Sequence, residues 1–126
     1  MAEKPYTLTT DARDGYLYAR LDTDETGLDI MVSYGNELAA AIRGSGLTNV
    51  LFENHAPILY DRAKYAVAMS LFRNLVTVPL RIAIVDKRRN DKQYLGDATA
   101  AARAAGLNAR YFPSIEAAEL WLNSGE

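Results

Sequence analysis

The chain contains no cysteine and only one histidine. The first absence excludes disulfides, thiolate metal centres, iron–sulfur ligation and a cysteine nucleophile together. The second excludes any metal site built on two histidines, so no metal and no cofactor are expected. The opening segment MAEKPYTLTT lacks an apolar core of signal-peptide length, and no stretch approaches the roughly eighteen apolar residues of a membrane span. A cytoplasmic protein with no integral membrane segment is the expectation. Charge of one sign is also scarce: the net charge is −2 and the pI about 5.4. Without a basic field to displace counterions from phosphates, the chain is not expected to bind nucleic acid. Internal repeats, low-complexity tracts and Pro/Gly-rich linkers are missing as well.

What is present is an ordinary globular composition, 49% hydrophobic and 24% charged, over 126 residues. That length suits one domain with a real core, so residues 1–126 are read as a single unit. TLTT, the turn DARDG around Gly15, and YLYARL predict an N-terminal β-hairpin. In its second strand Leu17, Ala19 and Leu21 alternate with Tyr16, Tyr18 and Arg20, the pattern of a half-buried strand. From Thr23 the period becomes helical, with Leu28, Met31, Val32, Leu38, Ala39 and Ile42 on one stripe and Gly44 as terminator.

VLF reads as a short buried strand, followed by a helix capped by Asp61, carrying Tyr65, Ala68, Met69, Phe72 and Val76, and closed by Pro79. RIAIV is a β-branched apolar run without alternation, as expected of a strand covered on both faces. Asn90 or Asp91 caps a third helix with Leu95, Ala98, Ala102 and Ala105 inside and Gly106 at its end. ARYF is the last strand, and Ser114 caps IEAAELWL. The order β-β-α-β-α-β-α-β-α describes an α/β fold. Its open mixed sheet is largely parallel, with the hairpin as an antiparallel edge.

In such a sheet, function belongs at the carboxyl ends of the parallel strands. Those ends carry Asp22 to Glu25, then Glu53, Asn54 and His55, then Asp86 to Arg89, then Pro113 and Ser114. His55 is a candidate for ligand contact or acid–base work, set against a plain loop histidine. Lys87, Arg88 and Arg89, in the cluster KRRNDK before a helix, could hold an anion or form a solvated loop. Tyr60 and Asp61 flank the start of the second helix, where a tyrosine ring with a polar tip suits an interface; Tyr65 is read as core. A Ser114–His55–acid triad lacks a G-x-S-x-G elbow, and Ser114 is needed as a cap. No catalytic residue is assigned.

RIAIVD, followed by ARYFPSIEAAELWL with its acidic-Ala-Ala-x-x-Trp-Leu pattern at Glu116, Ala117, Ala118, Trp121 and Leu122, resembles the SpoIIAA-like branch of the STAS superfamily. By element order the resemblance spans Tyr6 to Asn123; by residue identity it is concentrated after Leu80. It implies a non-enzymatic interaction or regulatory module. Relatives of that branch carry a phosphorylatable serine at the start of the second helix, whereas the corresponding HAPILYDRAKY has neither serine nor threonine. No phosphorylation site is therefore expected.

The leading expectation is a module that binds a protein partner, or itself as a homodimer, through the second helix and the loop before it. The contacts would be His55, Tyr60, Asp61, Lys87, Arg88 and Arg89. A binder of a small anionic or apolar, lipid-like ligand at the strand-end rim is the alternative. A small hydrolase or isomerase using His55 with Glu53 or Asp61 is the remote one.

Overall fold

The computed structural model describes residues 4–57, 61–88 and 90–124. Its elements follow the expected order: β1 (Thr7–Arg13), β2 (Tyr16–Asp22), α1 (Leu28–Ser45), β3 (Asn49–His55), α2 (Arg62–Leu75), β4 (Arg81–Asp86), α3 (Lys92–Ala104), β5 (Asn108–Phe112) and α4 (Ile115–Asn123). The strands lie side by side in chain order, with β1 antiparallel to β2 and the remaining neighbours parallel. Arg13 pairs with Tyr16 across a two-residue turn, Asp14-Gly15, in which Gly15 takes φ +83°. A tight hairpin needs such left-handed backbone, and glycine adopts it without a Cβ penalty.

Adjacent parallel strands joined by crossovers of one hand place every crossover helix on the same face. Accordingly α1, α2 and α3 form one layer, over a core that joins Leu17, Ala19, Val50 and Ile82 from the sheet to Leu38, Phe72 and Ala102 from the helices. The terminal helix α4 covers the other face alone, with Trp121, Leu122 and Ala118 on Tyr16, Leu51, Ala83 and Val85. Asp61, Asp91 and Ser114 cap α2, α3 and α4 by accepting from the amides of Lys64, Gln93 and Ala117.

Four local readings are corrected. β3 does not stop at Phe52: its ladder continues through Glu53 and Asn54, paired on both sides, to His55, paired with Asp22 of β2. The half-buried reading of β2 fails at its start, where Tyr16 is buried under α4 and donates its hydroxyl to Glu119 at 2.7 Å. α2 ends at Leu75, Val76 turning extended before Pro79 is reached. Finally, α1 begins at Leu28 and passes through Gly44, ending where Gly46 takes φ +69° and returns its amide to the Ile42 carbonyl.

That boundary yields a paired prediction. Gly44 is helical, and an added Cβ meets nothing within 4 Å. Gly44→Ala should therefore raise stability by about 0.5–1 kcal/mol, from helix propensity and unfolded-chain entropy. Gly46→Ala should lower it by about 1 kcal/mol, because L-residues pay for the left-handed conformation. Thermal unfolding of both variants checks the opposite signs.

Candidate functional site

The residues of β3, β4 and β5 facing the helix layer bracket a cavity of about 120 Å³. It exists because small side chains meet from several elements: Gly35 of α1, Ala68 of α2, Ala98 and Ala102 of α3, and Ala109 of β5 all line it. Large neighbours cannot close on such a gap without leaving their rotamers, so the void persists. The two faces of the sheet record the difference. Leu51, Ala83 and Val85, under α4, are at most 1% exposed, whereas Phe52 and Ile84, beneath the helix layer, remain partly accessible. The cavity reaches the carboxyl ends of the strands, where Thr23, Glu25 and Thr26 from the β2–α1 loop and Asn54, Ala56 and Pro57 beyond β3 line it.

Three tyrosines from three elements, Tyr34 (α1), Tyr65 (α2) and Tyr111 (β5), contribute to its wall. Tyr34 stands edge-on to Tyr6 and stacks on Phe52, with centroids 6.1 and 6.2 Å apart. Burial pushes the Tyr34 and Tyr111 phenols well above the ordinary tyrosine range, and the neighbouring Tyr65 raises both further. The folded protein therefore keeps these protons at a pH where the unfolded chain, with phenols near 10, releases them. Because the folded state then binds more protons, stability must fall as pH rises above about 10, by about 1.4 kcal/mol per pH unit for each fully shifted phenol. Urea unfolding at about pH 9, 10 and 11 should show this decline, and a Tyr34→Phe/Tyr111→Phe variant should flatten it.

Below the mouth, the ends of β3 and β4 are locked by a carboxylate. Asp86 accepts from the Asn54 and Asn90 side-chain amides at 3.0 Å each and from the Asn90 backbone amide at 2.9 Å. The Asn90 side chain also donates to the Ala56 carbonyl at 3.0 Å. These bonds fix the floor of the rim by pairing the part-buried groups Asn54, Asp86 and Asn90 with one another.

The contacts anticipated from sequence fall in several places. His55, the last residue of β3, belongs to the sheet face opposite the cavity, and its Nε2 lies 2.5 Å from Glu53 Oε2. Glu53 is the buried charged side chain of the described core, and Arg20 Nη1 approaches the same oxygen at 3.6 Å. Arg20 also grips Asp22 at 2.8 Å and holds that carboxyl below its usual range. Histidine and acid thus meet as the enzymatic alternative requires, but the Ser114 hydroxyl oxygen accepts from the Ala117 amide and serves as a cap. Asp61 is likewise engaged at the start of α2.

Lys87 is exposed, and its backbone amide continues the β3–β4 ladder by donating to the Asn54 carbonyl at 2.7 Å. Arg88 is turned inward on the rim: its Nη1 reaches Asp24 Oδ1 at 2.8 Å and the carbonyls of Thr23 and His55 at 3.4 Å. It ties the β2–α1 loop to the end of β3 instead of presenting a free fork to an anion. Tyr60 and Arg89 lie outside the described residues. Sequence reasoning did not single out Tyr34, Phe52 or Tyr111. Tyr34 carries a readable signal, lying four residues from both Ile30 and Leu38 on the buried stripe of α1. Tyr111 carries none beyond its strand.

No protein-family model matches the chain, and no curated protein sequence matches it either. Among the described residues no helix is long and apolar enough to cross a membrane.

Proposed function

We propose that the chain is a non-enzymatic STAS-like module that binds a small, largely apolar molecule between its helix layer and its sheet. The observation that carries this reading is the cavity of about 120 Å³, walled by apolar and aromatic side chains and reaching the carboxyl ends of the parallel strands. Ligand sites in open α/β sheets gather at that edge, and concave apolar walls with few polar groups are their usual composition. The STAS-like assignment rests on the closing motif around Trp121 together with the element order.

Methionine provides the test. Met31 and Met69 line the cavity, and the chain has only three methionines. With the methionine methyls labelled with carbon-13, titration with benzene should move the Met31 and Met69 signals in one saturable phase. A cavity of about 150 Å³ is known to accept that molecule. If neither signal moves up to the solubility limit of benzene, the reading fails.

A second reading has its own support. Val67, Leu71 and Leu75 recur every four residues along the outer face of α2, with Val78 beyond, and each is 36–47% exposed. Such a stripe suits a protein partner or a second copy of the chain. Leu71→Lys should then abolish co-purification of a partner, or shift sedimentation to a smaller species. Unchanged behaviour in both assays removes this reading.

A further inference from the structure

We infer that the cavity selects a neutral molecule of about one ring, apolar except for one hydroxyl or carbonyl oxygen that the Tyr34 phenol binds. The inference deepens the ligand-binding reading above and rests on it.

Charge is the first argument. Among the described lining residues there is no lysine, arginine or histidine, and Glu25, exposed at the mouth, is the one ionisable acid or base apart from the tyrosines. A carboxylate or phosphate drawn inside would be stripped of water with no counter-charge to receive it, which costs far more than apolar burial returns. A cation fares little better. Asp86 lies close enough to influence Tyr111, but its oxygens already accept from Asn54 and Asn90. Glu25 sits where water competes for it.

The tyrosines supply the second argument. Three phenols from α1, α2 and β5 share one apolar space, and burial favours the protonated, hydrogen-bond-donating form of Tyr34 and Tyr111. Tyr34 is positioned in the wall by its ring contacts, edge-on to Tyr6 and stacked on Phe52. A protonated phenol in that wall can donate to a guest, and a neutral oxygen accepts from it without bringing a charge into the cavity. Size is the third argument, since the volume is somewhat below that of a cavity known to admit one benzene ring.

Four probes with a common ring separate the possibilities: ethylbenzene, benzyl alcohol, benzoate and benzylammonium, each titrated against the methionine methyl signals. Ethylbenzene and benzyl alcohol are expected to bind, and the two ions are not. Tyr34→Phe keeps the ring and removes the donor, so it should weaken benzyl alcohol about tenfold and leave ethylbenzene within about twofold. Binding of either ion as tightly as the alcohol overturns the inference, as does equal sensitivity of both neutral probes to the substitution. Should Tyr34→Phe fail to fold, the ranking of ions against neutral probes on the native protein decides alone. If ethylbenzene binds but benzyl alcohol does not, the apolar site stands and the hydroxyl selectivity falls. Failure of all four probes removes the ligand-binding reading itself, and this inference with it.

Discussion

Replacing Trp121 by alanine should destabilise the protein by about 3–5 kcal/mol, the range for removing a large buried aromatic from a core. Trp121 is 8% exposed and belongs to the one helix that covers the second face of the sheet. Its ring lies 5.3 Å from that of Phe112, and the guanidinium of Arg81 lies over it at 4.3 Å. The same Arg81 donates to the carbonyls of Trp121 and Leu122 at 2.7 and 3.2 Å, which closes the carboxyl end of α4. Removing the ring therefore uncovers Leu51 and Val85 and takes the platform from a cation whose Nε already lacks a partner among the described residues. Urea unfolding measures the effect through the midpoint and slope of the transition. Trp121→Phe should recover much of the loss. A cost under about 1 kcal/mol for the alanine variant would show that α4 holds the sheet by other means.

Filling the cavity should do the reverse to stability while removing binding. Ala98 is buried on α3 and lines the void. Ala98→Leu adds three carbons, each worth about 0.8 kcal/mol when buried in free space. In a fully packed core the same change costs about 1–3 kcal/mol from overpacking. At about 24 cal/mol per Å³, a void of about 120 Å³ corresponds to about 3 kcal/mol of missing contacts, so there is room for a gain. The expected result is unchanged or higher stability together with at least about a tenfold loss of benzene affinity, about 1.4 kcal/mol or more of binding free energy. Destabilisation by about 2 kcal/mol would mean that the helices close on the gap. Full retention of benzene affinity would place its binding elsewhere.

The order of elements was legible because each is marked by a change of period. Alternation around Ala19 gives way to the helical stripe of α1, and RIAIV is apolar without alternation because both of its faces are covered. Boundaries were less legible where polar residues continue an element. Glu53, Asn54 and His55 interrupt the apolar signal of β3, yet their backbones remain in the ladder and their side chains find partners: Glu53 with His55, and Asn54 with Asp86.

A similar limit applies to the site. The parallel order that places the carboxyl ends of β2 to β5 on one edge is legible in the alternation of strands and helices, as are the caps Asp61 and Ser114. The cavity was not readable, because it is made by what is small at Gly35, Ala68, Ala98 and Ala109, scattered over four elements with no common period. His55 drew attention as the chain's single histidine, but the pleat turns it to the other side of the sheet.

The tie made by Arg88 has a kinetic consequence. The β2–α1 loop, whose Thr23, Glu25 and Thr26 line the mouth, is held to the end of β3 by one guanidinium, through an ion pair to Asp24 in which the carboxylate is 91% exposed. Exposed pairs of this kind are worth about 0.2–1 kcal/mol and are weakened by salt. The doorway is thus lightly latched while the walls behind it are firmly built. Exchange through it should quicken as ionic strength rises, with residence time shortening even where the equilibrium occupancy of an uncharged guest stays the same.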